Sequence, residues 1–150
     1  MSRLLLLTLL SGPAWAGAGE AYVPWTMRNY AIEEPLAGLK GDANRGMAVA
    51  RDRHLGNCLA CHRMPIPGED FQGTIGPPLQ DVGQRLTEGQ IRLHIVDQKQ
   101  INPMSIMPGF YRNPRYYHRV ADEYEGRTPL DPQQIEDLVA YLLTLKGEKK

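Results

Sequence analysis

Cysteine is nearly absent from this sequence, with two among 150 residues, Cys58 and Cys61. A disulfide-rich scaffold is thereby excluded, because two cysteines close at most one bridge. Also missing is any run of about 18 consecutive apolar residues, so no segment reads as a membrane-spanning helix. Val/Ile-rich alternating stretches do not occur either, which argues against a sheet of any size. Neither sign of charge is in excess: 17 basic residues face 17 acidic ones. That balance gives no electrostatic footprint for nucleic acid or an anionic membrane surface. Internal repeats and low-complexity tracts are lacking, and the length suits a single domain.

What is present begins at the N-terminus. The stretch MSRLLLLTLLSGPAWA has a positive charge at Arg3, an apolar run from Leu4 to Leu10, and the small-x-small ending Ala14-Trp15-Ala16. This is the pattern of a secretory signal peptide over residues 1–16, cleaved after Ala16, with an apolar run too short to span a bilayer. The exported chain is expected to start near Gly17 and to be soluble.

Both cysteines fall in GNCLACH, residues 56–62, with His62 directly after the second. A close cysteine pair serves a disulfide redox switch, half of a zinc site, or covalent attachment of a haem. Zinc needs two further ligands, and the remaining histidines, His54, His94 and His118, are scattered. A thioredoxin-type switch needs a strand before the pair, whereas DANRGMAVARDRHLGN reads as helix. Attachment of haem explains the histidine as well. On a helical turn, positions i and i+3 share a face, so two thiols reach the two vinyl groups on one haem edge. Cys-x-x-Cys-His is the c-type attachment pattern. Cys58 and Cys61 are therefore read as thioether-forming and His62 as the proximal iron ligand of one covalently bound haem c.

The remaining signals are helical, separated by Pro/Gly loops, and the expected fold is all-α. It is a small class I cytochrome c-like domain of about three to five helices around the haem, with an N-terminal arm. Residues 17–41 form that arm; Tyr22, Trp25 and Tyr30 make it too aromatic for a free linker. The cytochrome domain spans 42–147 and a basic tail covers 148–150. Asp42 caps a first helix running to about Arg53. Residues 63–83, with Pro65, Pro67, Pro77 and Pro78, read as an extended loop. Thr87 and Gln90 make a capping box for a helix to about Gln98. Asp131, Pro132 and Gln134 start the last helix, whose Ile135, Leu138, Val139 and Leu142 recur on one face before Gly147.

Iron also needs a sixth ligand or an open position. Met64 is too near His62 to cross the ring, and Met47 belongs to the first helix as core. Met104 and Met107 lie in QINPMSIMPGFY, an irregular loop where Pro108 denies a helix. Met107 is preferred, with Met104, a lysine, a histidine or an open site as alternatives. Methionine opposite histidine raises the reduction potential and closes the iron to substrates. In c-type cytochromes generally, a Gly-Pro-x-Leu segment presents its proline carbonyl to the proximal histidine. Gly76-Pro77-Pro78-Leu79 resembles it, which implies Pro77 as the partner of His62 and Leu79 beside the ring.

Taken together, GDANRGMAVARDRHLGNCLACHRMP, GPPLQDVGQR, INPMSIMPGFYR and EDLVAYLLTLK resemble SoxX, the monohaem subunit of the SoxAX cytochrome of periplasmic sulfur oxidation, over roughly residues 41–146. That resemblance implies a SoxA-type partner, on whose haem site thiosulfate is joined oxidatively to a carrier-protein cysteine, as in an L-cysteine S-thiosulfotransferase. It implies His62 and Met107 as iron ligands, a periplasmic location, and onward transfer of electrons to a soluble cytochrome. A free-standing monohaem carrier and a haem peroxidase are the other readings. The Tyr- and Arg-rich stretch 110–127 is expected either to face a partner or to cover the cofactor and the last helix.

Overall fold

The computed structural model describes residues 22–117 and 119–147, and within them the backbone is helical. The proposed signal peptide, the start of the arm, His118 and the tail 148–150 lie outside the described residues. Four α-helices carry the fold: α1 (Ala43–Arg51), α2 (Val82–Arg85), α3 (Glu88–Asp97) and α4 (Pro132–Thr144). Short 3-10 turns connect them, including Cys58–Ala60 and Gln98–Gln100. The sole β-bridge among the described residues joins Arg28 to Ala31.

Each helix starts where its capping chemistry directs. The Asp42 carboxylate accepts from the amides of Asn44 and Arg45. Thr87 with Gln90, and Asp131 with Gln134, form complete capping boxes, and Pro132 takes the first position of α4. Two ends fall short of the sequence expectation: α1 stops at Arg51 and α4 at Thr144. The loop expected over 63–83 closes with the first residues of α2, a single turn too short to leave a periodic signal.

Helices α1 and α4 form the most extensive pairing in the domain. Their backbones meet through glycine. A Cβ on Gly46 would stand 1.9 Å from the Asp137 carbonyl oxygen, and one on Gly41 would stand 2.0 Å from that of Glu136. Beside the crossing, Asp137 receives a two-pronged ion pair from Arg45, with both N···O distances 2.7 Å. The Asp42 amide and the Gln133 side chain donate to the same carboxylate. Burial alone would raise Asp137, but these donors outweigh it and hold the carboxyl below its ordinary value. A depressed carboxylate adds stability above its unfolded value of about 3.9, and that stability is lost as pH falls through the folded value. Asp137→Asn should cost about 1–3 kcal/mol at pH 6, measured by urea unfolding. The gap to the wild type should begin to narrow below about pH 4 and close only as the pH passes below the folded value.

A second ion pair, this one with both partners buried, fastens the arm. Arg92 is fully buried and lies against Glu136, with Nε 2.8 Å from one carboxylate oxygen. It also reaches Glu88 and donates to the carbonyl of Ile32. Glu136 in turn accepts from the Leu36 amide. Ile32 and Leu36 belong to the core. Further out, Tyr22 stacks on Tyr111 with centroids 5.0 Å apart, and the Trp25 indole donates to the Tyr111 carbonyl. Tyr22 and Trp25 of the arm thus pack on their own domain, whereas Tyr30 is exposed.

Candidate functional site

The attachment turn follows α1 after a tight reversal. Gly56 donates to the Val49 carbonyl, and Asn57 takes a left-handed conformation, which asparagine tolerates better than most side chains. Cys58–Ala60 then form a single 3-10 turn in which Cys61 and His62 both donate to the Cys58 carbonyl. The two cysteines are half-buried and unbridged. Desolvation pushes the Cys58 thiol up to about 12. A redox or disulfide-exchange cysteine needs the opposite shift, so the local chemistry speaks against a dithiol switch.

His62 is oriented through one ring nitrogen. Its Nδ1 lies 2.7 Å from the Pro77 carbonyl oxygen. A carbonyl only accepts, so Nδ1 carries the hydrogen and Nε2 keeps its lone pair for a metal. The segment that brings Pro77 is laced to the attachment turn by backbone bonds: Gly73 donates to Leu59, Gly76 to Cys61, and Leu79 to Arg63. Gln72 pins the intervening loop, pairing with both backbone groups of Met64. Glycine at 76 is a requirement of this geometry. A Cβ there would fall 2.3–2.7 Å from three atoms of the His62 ring.

Leu79 is half-buried and packs against the core. Met64 is in the core and Met47 packs against it, which leaves neither free to cross a ring. On the loop after α3, Met104 is 86% exposed whereas Met107 is half-buried. Pro108 follows Met107, and the Met107 amide donates to the Ser105 hydroxyl. Of the Tyr-rich stretch, Tyr111 is core and accepts from the Val23 amide, Tyr117 is half-buried, and Tyr116 is exposed.

The donor set suits a haem attached through thioethers. Two thiols stand one helical turn apart, an imidazole is oriented with Nε2 free, and a glycine face lies flush against that imidazole. The hydroxyl of Tyr141 is the one buried side-chain polar atom without a hydrogen-bond partner among the described residues, and it is electrostatically coupled to Cys58. No cluster of three or more His, Cys, Asp or Glu that could hold a metal ion by itself occurs among the described residues.

Reading the sequence did not single out the packing of Gly76 on His62, the bracing by Gln72, or Tyr141. The first was legible in principle, since Gly-Pro before a ligand-orienting carbonyl leaves no room for a side chain. The other two depend on contacts between distant segments.

The family model for cytochrome c matches residues 43–146. Among solved structures, the crystal structure of SoxXA from P. pantotrophus is similar, with 37% identity covering 81% of this chain and 94% of that one at a TM-score of 0.72. No curated protein matches.

Proposed function

Since the chain belongs to the cytochrome c family and is a SoxX-type cytochrome, we propose that it serves as the monohaem electron-transfer subunit of a periplasmic L-cysteine S-thiosulfotransferase. The observation that carries this reading is the likeness to the SoxXA structure along nearly all of that chain's length. The chain is a c-type cytochrome and an electron carrier. Covalently bound haem c supplies a one-electron couple between ferric and ferrous iron.

The chain's own residues divide the work of holding it. Cys58 and Cys61 would bond the haem edge, and His62 would ligate through Nε2, its orientation fixed by the Pro77 carbonyl. Met107 would hold the iron together with His62, and Leu79 would line the ring. With two protein ligands on the iron no site would be left for a small substrate, so this chain would move electrons and the sulfur chemistry would belong to a SoxA-type partner. Both cysteines are used in attachment, which agrees with that division. Joining thiosulfate to a carrier cysteine releases two electrons; this subunit takes them singly and hands them to a soluble cytochrome. Export by the signal peptide 1–16, cleaved after Ala16, brings the chain to that compartment.

Purification of the native protein from periplasm tests the assembly. A second haem-bearing chain should accompany it through gel filtration in equal amount. Elution as a lone monohaem protein would overturn the partner assignment and leave a free-standing carrier.

A further inference from the structure

We propose that Asp97 is a positioning residue for Met107, its buried carboxylate clasping both ends of the loop that carries the methionine. The inference rests on the assignment of Met107 as axial ligand. Asp97 is the last residue of α3 and is 2% exposed. A buried carboxylate is costly unless it is fully hydrogen-bonded and paired, and among the described residues its hydrogen-bond and ion-pair partners belong to this loop. One oxygen accepts from the Lys99 amide at 3.2 Å, capping the 3-10 turn Gln98–Gln100. The other accepts from the Gln100 side chain at 2.9 Å. That same oxygen pairs with Arg112 Nε at 3.3 Å, on the far side of Met107.

The returning strand of the loop is locked around this pair. Phe110 and Tyr111 donate to the carbonyls of Ile95 and Val96, the turn of α3 just before Asp97. The Arg112 stem lies over Gly109, where a Cβ would meet its Cδ at 2.6 Å. Its guanidinium stands 5.8 Å from the centre of the Tyr117 ring, whose hydroxyl donates to the Gly109 carbonyl. Between these anchored ends the loop has little else. Met104 and Ile106 are at least 80% exposed, and the ties within the loop are local ones: Lys99 to the Ser105 carbonyl, Met104 to Asn102, Met107 to Ser105, and the backbone turns in which Ile101 and Asn102 donate to Gln98 and Ser105 donates to Asn102. Where Met107 stands therefore depends on how firmly the base of the loop is closed.

A positioning role and a merely structural one differ in what they move. An added ligand such as imidazole must wait for the methionine to leave, so its apparent affinity scales with the fraction of open loop. In the holoprotein, Asp97→Asn and Arg112→Gln should each bind imidazole about tenfold more tightly than wild type, the effect expected from losing one charge-assisted bond. Their sulfur-to-iron absorption band should weaken, and Arg112→Lys should recover part of both signals. Met107→Ala, which has no thioether to displace, sets the upper limit of imidazole affinity. If Asp97→Asn and Arg112→Gln only lower the denaturant midpoint, with band and imidazole affinity unchanged, the positioning role is overturned. If Met107→Ala itself keeps the band, the ligand assignment falls and the proposal falls with it.

Discussion

Replacing Cys58 and Cys61 together by serine should yield a chain from which acidified organic solvent removes all haem, whereas the wild-type protein should retain it through the same treatment. The wild-type holoprotein should also show no titratable thiol, because attachment would consume both of the chain's cysteine sulfurs as thioethers. His62→Ala acts on the other bond. It removes the imidazole that Pro77 orients at 2.7 Å, so the iron loses its proximal ligand and maturation to holoprotein should fall below a tenth of wild type, on the order of the loss seen when metal-site partners are removed. Haem that leaves the wild-type protein under solvent, or a free thiol in it, would sink the attachment reading.

Met107→Ala should lower the reduction potential and turn the iron high-spin or open to an exogenous ligand. A thioether favours the ferrous state relative to harder ligands. For a one-electron couple each tenfold change in relative affinity for the two oxidation states is worth about 59 mV, so loss of the ligand should shift the potential by on the order of 100 mV. Met104→Ala is the control. Its side chain is 86% exposed, and its removal should leave potential and spectrum unaltered. Spectroelectrochemical titration of both variants decides between the two methionines, and a low-spin sulfur-ligated spectrum surviving in Met107→Ala would transfer the assignment to Met104.

Local chemistry made much of this domain readable in advance. Asp42, Thr87 with Gln90, and Asp131 with Pro132 and Gln134 place three helix starts because capping depends on neighbours within one turn. The attachment motif carries its chemistry within five residues, and the Pro77 carbonyl stands where the Gly-Pro-x-Leu resemblance implied. Features made by distant segments were silent. Arg92 lies on α3 among apolar residues and gives no hint that Glu136, 44 positions later, will bury it. Asp97 reads as an ordinary polar residue at a helix end until Arg112 folds back on it. Tyr111, set in a run of tyrosines and arginines that suggested a partner surface, is 1% exposed and supports the arm through Val23 and Trp25. Composition could not separate it from its exposed neighbour Tyr116.

The glycine-mediated crossing of α1 and α4 also sets an order of events. Asp42 and Asp137 are bonded across 95 positions of sequence, while the attachment turn is built from contacts three and four residues apart. Local turns form in microseconds or less, and contacts of such long range come late because a long loop must first close. A chain that has begun to fold therefore passes through a stage in which residues 42–62 are shaped but α4 has not arrived. During that stage Cys58 lacks the core against which it packs in the finished fold, and its sulfur is more open to covalent chemistry. Hydrogen-exchange labelling during refolding should accordingly protect α4 only together with α1's buried face, and the interval before that protection is the time available for maturation.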